Sequence, residues 1–251
     1  MKKLFAVFAL ISVCIPASAW DPTRVALHLV GDSTMADKPN LAYPERGWGQ
    51  LLPEFMNEEL EIVNHAANGR STRRFINEGR WALVLSELKA GDYVLIQFGH
   101  NDQKVDDPAR YASVDKDYPA FLKQYIADVR AKNAIPMIAS SICRRHFDSE
   151  GNLQRKLIDY ANAAKKVAQQ EDVAFFDLND QTCGFLKEIG EPASQQYFIQ
   201  VPPDLYTRYP DGKVDNTHLN VVGASKVAQF FVRDLRSRKH PLANYVYRDS
   251  L

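Results

Sequence analysis

An excess of charge of one sign is missing from this sequence. Its 251 residues carry 31 Lys and Arg against 31 Asp and Glu, a formal net charge of zero. Such a balance gives no reason to expect a nucleic-acid surface. A long apolar run is missing as well: the stretch Leu4 to Val13 falls short of the roughly 20 residues that a membrane-spanning helix needs. No internal repeat or low-complexity tract breaks the chain into units. Cysteine is scarce, at three residues. There is also no Gly-x-Ser-x-Gly elbow, which argues against the α/β-hydrolase route to ester chemistry.

The amino terminus has its own logic. Lys2 and Lys3, the apolar stretch Leu4 to Val13 and the small residues Ala17-Ser18-Ala19 read as a signal peptide over residues 1–19. Val13 stands before Cys14 where a lipoprotein signal would place a small residue, so cleavage after Ala19 is expected. Loss of Lys2 and Lys3 leaves the mature form at −2. Export to the periplasm or the medium follows, with no membrane attachment after cleavage. Cys143 and Cys183 then remain, and an oxidising compartment permits a bridge between them; two separate buried thiols fit equally well.

Residues 20–251 have a size and composition, 45% hydrophobic and 25% charged, that suit one folded domain. Five apolar runs read as strands buried on both faces: Val25 to Val30, Leu60 to Asn64, Tyr93 to Phe98, Ile135 to Ser140 and Val173 to Leu178. Helical spacing is expected over Trp48 to Asn57, Phe75 to Leu88, Tyr118 to Lys132, Leu153 to Gln169 and Ala224 to Arg236. A long irregular stretch precedes the last of these. Alternating strands and helices predict a flavodoxin-like three-layer α/β/α sandwich around a five-stranded parallel sheet. Ligands of such sheets bind beyond the carboxyl ends of the strands.

Four short polar motifs occupy those ends or must fold back to them. They are Gly31-Asp32-Ser33-Thr34, Asn68-Gly69, Gly99-His100-Asn101-Asp102 and Asp215-Asn216-Thr217-His218. Together they supply what acyl transfer through a serine ester requires. Ser33 is the candidate nucleophile, His218 the base and Asp215 the group that orients it. The Ser33 and Gly69 N–H groups and the Asn101 side-chain amide are candidate oxyanion donors. Taken singly, each has a plainer reading as a cap or turn residue; their joint occurrence in order carries the argument. The Asp215-x-x-His218 spacing also invites a metal, but no partner ligands at zinc-like spacing lie nearby, and neither metal nor cofactor is expected.

Substrate contacts are less marked. Arg70, Arg73, Arg74 and Arg80 follow the second motif, and Arg144, Arg145 and His146 follow the fourth strand. Arginines there could grip carboxylates through paired hydrogen bonds, with Arg70 and Arg74 the foremost candidates, or could form structural ion pairs with residues such as Glu78. Trp48 and Tyr43 could stack on sugar rings, or belong to the core. His100 is expected to give a supporting hydrogen bond at most.

The four motifs resemble the blocks of the SGNH (GDSL-type) hydrolases at Ser33, Gly69, Asn101 and His218, with Asp215 as the partner of His218. Thr34 departs from the Leu more usual in the first block. Gly31 to Ala36, Glu45 to Gln50, Phe98 to Gln103 and Asp215 to Asn220 are similar to the rhamnogalacturonan acetylesterases, from about Leu27 to about Arg238. That resemblance implies metal-free deacetylation of an acetylated pectic polysaccharide through an acetyl-Ser33 intermediate. Acetylxylan or lipid ester hydrolysis on the same fold is the first alternative, and a carbohydrate-binding protein without catalysis the second. A monomer is expected.

Overall fold

A computed structural model describes residues 24–248; the expected signal peptide lies outside the described residues. Five strands, β1 (Ala26–Gly31), β2 (Glu61–Asn64), β3 (Tyr93–Gln97), β4 (Ile135–Ala139) and β5 (Ala174–Phe176), form one parallel sheet. Their order is β2-β1-β3-β4-β5, the flavodoxin-like order. Its connections reverse direction between β1 and β3, which opens a crevice at the carboxyl ends of those two strands.

Alternation along each strand explains the two cores. Leu27, Leu29, Leu95 and Met137 point to one face. There they pack under α1 (Trp48–Leu51), α6 (Leu178–Ser194) and α7 (Val221–Ser237), with Trp48, Leu52 and Phe231 at the centre. Val30, Val94, Ile96 and Ile138 point to the other face. They are covered by α2 (Thr72–Asn77), α3 (Arg80–Glu87), α4 (Asp117–Ala131) and α5 (Ile158–Gln170). The inner strands β1, β3 and β4 are buried on both faces, which is why they read as continuous apolar runs, whereas the edge strands β2 and β5 are only partly buried.

The helices differ from the sequence expectation where local chemistry intervenes. The span expected as Trp48 to Asn57 is a single α-turn followed by a 3₁₀ turn over Leu52–Phe55, with Pro53 at its start. The span expected as Phe75 to Leu88 starts earlier, capped by the Ser71 hydroxyl accepting from the Arg74 N–H at 3.1 Å, and breaks at Gly79. The fourth expected helix begins only at Ile158.

The larger correction lies before α7. Residues 178–219 are not irregular: they hold α6 and an antiparallel pair, β6 (Phe198–Val201) and β7 (Lys213–Leu219). Asp215 to His218 therefore sit within a strand and not in a loop. In the ladder Phe198 faces Leu219, whereas Ile199 faces Asp215. Asn216, Thr217 and His218 bulge out between those two pairs. Bulges of this kind re-aim side chains beside functional sites, and this one turns His218 back toward β1. The thiols of Cys143 and Cys183 are joined in a disulfide that ties the segment after β4 to α6.

Candidate active site

The crevice between β1 and β3 is built from turns. After β1, the Asp32 carbonyl accepts from the Met35 and Ala36 N–H groups at 3.2 and 3.1 Å. Asp32 Oδ1 accepts from both the Thr34 N–H (2.9 Å) and the Thr34 hydroxyl (2.8 Å). Gln97, opposite Gly31 at the end of β3, donates to Thr34 Oγ1 at 3.2 Å. Thr34 thus has a hydroxyl task that a Leu could not perform. Ser33 lies at the tip of this turn.

Ser33 Oγ is 2.8 Å from His218 Nε2, and His218 Nδ1 is 2.8 Å from Asp215 Oδ2. Asp215 Oδ1 accepts from the Thr217 and His218 N–H groups at 2.8 and 3.0 Å. Burial would raise the Asp215 pKa, but the hydrogen bond and charge of His218 and these two N–H groups outweigh it and hold the carboxyl well below the usual range. An ionised carboxylate on Nδ1 keeps the proton on that nitrogen and leaves Nε2 free to accept one from a hydroxyl.

Gly69 occupies the third position of a turn closed by Arg70 N–H to Ala67 O at 3.3 Å. Its φ of +74° is what restricts the position to glycine, since a Cβ there would meet nothing within 4 Å. Asn101 is held against the same turn: its Nδ2 donates to the Arg70 carbonyl at 3.0 Å, which leaves its second hydrogen unspent. Gly99, two residues earlier, has φ +141°, and a Cβ there would lie 2.2 Å from Ser141 Oγ. Neither the Ser33 nor the Gly69 N–H donates to a protein acceptor among the described residues. The turns after β1, β2 and β3 thus each carry a donor without a protein acceptor, the kind of group that can stabilise a negative oxygen.

Sequence reasoning missed part of the support. Lys38, only 4% exposed, is pinned between Glu45 at 2.9 Å and the side-chain oxygen of Asn68, which fixes the turn that carries Gly69. No local signal marks a lysine for burial. His100 and Asp32 are both buried, with Nδ1 and Oδ2 3.4 Å apart. Burial lowers the His100 pKa against the pull of Asp32.

The expected substrate contacts fare differently. Trp48 is fully buried and donates to Gln97 Oε1 at 2.6 Å, so it belongs to the core. Arg70, Arg74 and Arg80 all turn to one carboxylate, Glu78, at 2.8, 2.7 and 3.0 Å. Arg70, then Arg74 and Arg80, hold Glu78 down at about 2. Arg73 pairs with Asp117 at 3.0 Å. Tyr43 remains 44% exposed, edge-on to Tyr206.

One group among the described residues, His28, His65 and Glu87, brings three metal-ligand atoms within 4.8 Å of one another. Its two imidazoles are nearly parallel (9°), with centroids 5.2 Å apart and a 2.9 Å contact from His28 Nδ1 to His65 Nε2. Those distances lay the rings end to end, so each nitrogen faces the other in a hydrogen bond. Its His28 lies on β1 three residues before Gly31, roughly 10 Å before the crevice at about 3.3 Å per residue.

Comparisons with known proteins show the family of the chain. The profile of the GDSL-like lipase/acylhydrolase family matches residues 29–225. A rhamnogalacturonan acetylesterase of Bacillus subtilis is 35% identical over 222 residues, covering 88% of this chain and 94% of that protein. A rhamnogalacturonan acetylesterase of Emericella nidulans is 28% identical over 243 residues, covering 88% and 90%. The crystal structure of the Bacillus subtilis protein YxiM superposes with a TM-score of 0.73 at 25% identity, over 87% of this chain and 58% of that one. An acetylxylan esterase of Geobacillus stearothermophilus gives 0.60 at 19% identity, over 84% and 94%, a likeness of fold. The chain belongs to the GDSL-like lipase/acylhydrolase family and is a carboxylic ester hydrolase.

Proposed function

We propose that the protein removes acetyl groups from an acetylated pectic polysaccharide of the rhamnogalacturonan class, through an acetyl-Ser33 intermediate. The observation that carries the mechanism is the unbroken line Ser33 Oγ, His218, Asp215, with both contacts at 2.8 Å. The substrate class rests on the acetylesterases to which the chain is 35% and 28% identical.

Ser33 Oγ attacks the acetyl carbonyl carbon while its proton passes to His218 Nε2. The carbonyl electrons move onto oxygen, which faces the N–H groups of Ser33 and Gly69 and the free hydrogen of Asn101 Nδ2. One such donor is worth roughly 10²- to 10³-fold in kcat. Collapse breaks the bond to the sugar oxygen, which leaves with the proton held on His218. Water then attacks the acetyl-enzyme and yields its proton to the same nitrogen. A second collapse returns that proton to Ser33 Oγ and releases acetate. Asp215 stays ionised throughout and steadies the imidazolium.

Export through residues 1–19 belongs to this reading. The Cys143–Cys183 disulfide fits an oxidising compartment, and no helix among the described residues is long and apolar enough to cross a membrane. Acetate release from acetylated rhamnogalacturonan, with acetylated xylan alongside, tests the substrate. Release from the pectic polymer in preference to xylan supports the reading; the reverse preference replaces it with an acetylxylan esterase.

A further inference from the structure

Most arginines around the crevice have already spent their charge. Arg70, Arg74 and Arg80 share Glu78, Arg73 has Asp117, Arg110 has Asp107, and Arg145 reaches Glu191. Arg144 stands apart from these. Its Nη2 donates to the His100 carbonyl at 3.2 Å. The Gln103 amide is satisfied with its oxygen turned to Arg144, accepting from Nη2 at 2.8 Å and Nη1 at 3.2 Å. Both partners are neutral. Among the described residues no carboxylate lies within 4.0 Å of this guanidinium, and its Nε is enclosed without a partner. Burial pushes its pKa down, opposed by the more distant charges of Asp32 and Asp215. The side chain is therefore oriented and partly desolvated with no carboxylate in contact, an arrangement that an arriving anion would favour.

Arg144 opens onto a pocket whose other walls include Gln103, His146, Lys156, Asn216 and Thr217. Thr217 adjoins His218, so the pocket borders the candidate catalytic base. No acidic residue lines it, and Lys156 is exposed and free of ion pairs among the described residues. An anionic sugar approaching Ser33 must come near the carboxylates of Asp32 and Asp215; a cation beside them offsets that repulsion.

We infer that this pocket holds a uronate carboxylate of the polysaccharide, with Arg144 as its specificity-determining charge and Lys156 at its rim. The inference rests on the acetylesterase reading for the reaction but not for the binding. It also moves substrate recognition from Arg70 and Arg74 to the opposite flank of the crevice.

Two measurements test it. The first compares kcat/KM on an acetylated galacturonate-containing oligosaccharide as the free acid and as its methyl ester, for the wild type, Arg144→Gln and Lys156→Ala. A lost charged hydrogen bond is worth roughly 10- to 100-fold. Arg144→Gln should lose about that factor on the free acid, through KM, and far less on the methyl ester. Lys156→Ala should move KM the same way by a smaller factor, and being a surface change it decides the matter if Arg144→Gln does not fold. Equal losses on acid and ester, or a wild type indifferent to esterification, would overturn the inference. The second measurement is calorimetric binding of the unacetylated galacturonate oligosaccharide to Ser33→Ala, with and without Arg144→Gln. If no pectic ester is hydrolysed while a small aryl acetate is, the pectic-substrate reading of the reaction fails alone; binding that needs Arg144 then still supports the pocket, and absence of binding overturns it.

Discussion

Arg145 and Asn216 clasp each other twice: the Arg145 N–H donates to the Asn216 carbonyl at 2.9 Å, and Arg145 Nη1 to its side-chain oxygen at 3.0 Å. The same guanidinium reaches Ser194 Oγ at 2.9 Å and the Glu191 carbonyl at 2.8 Å. A buried arginine thus fastens the bulge that carries His218 to the end of α6. Arg145→Met should release the bulge and lower kcat by about 10²-fold, the scale of a 1 Å misplacement. It should also lower the melting temperature, because buried acceptors lose their donor. Steady-state kinetics and thermal unfolding check both; an unchanged kcat would deny the clasp a positioning role.

Asp215→Asn keeps the shape of the site but lets His218 take the wrong tautomer. A loss on the order of 10⁴-fold in kcat, with little change in KM, is the expected scale. Because His218 and its neighbours hold the Asp215 carboxyl low, any acid decline of wild-type activity reflects protonation of another group. An Asp215 carboxyl signal in NMR that titrates together with the acid limb would contradict this.

Burial, and then the charge of His28, lower the His65 pKa to about 4. An unfolded histidine titrates near about 6.5. The unfolded chain therefore binds the proton first, so stability from the neutral His65 is full above about 6.5 and is lost as pH falls through about 4. His65→Gln should flatten unfolding free energy across that window; an unaltered pH dependence would refute it.

Asp102 gives the opposite sign. Burial raises its pKa to about 7, against the two hydrogen bonds from Thr72 to Oδ1 at 2.9 and 2.5 Å. The folded state then holds the proton more tightly than the unfolded chain, so stability falls as pH rises from about 4 to about 7. Asp102→Asn should remove that slope.

Cys143 and Cys183 close a loop of residues 40 apart in sequence, for which the chain-entropy estimate is about 4 kcal/mol. Both are 3% exposed. The double alanine variant should unfold at markedly lower denaturant concentration than the oxidised wild type, and reductant should act on the wild type alone. Equal midpoints would show that the bridge contributes nothing.

The central sheet was legible because its inner strands β1, β3 and β4 are buried on both faces and read as apolar runs. β7 was not: Lys-Val-Asp-Asn-Thr-His-Leu has no strand pattern of its own and is a strand through its pairing with β6. α6 was hidden by Gly184, Gly190 and Pro192 in its interior. The chemistry of the four motifs could be read from residue types in order. The partners of Arg70, Arg144 and Trp48 could not, since whether a guanidinium meets Glu78 or an empty pocket is settled by tertiary placement alone.

The acetyl-enzyme is the most direct test of the central claim. The protein is mixed with an acetylated oligosaccharide, quenched in acid within the first turnovers, digested and weighed by mass spectrometry. The account predicts one added acetyl group on the peptide that contains Ser33, and none in Ser33→Ala. Continued acetate release with no adduct, or an adduct on another residue, would contradict it.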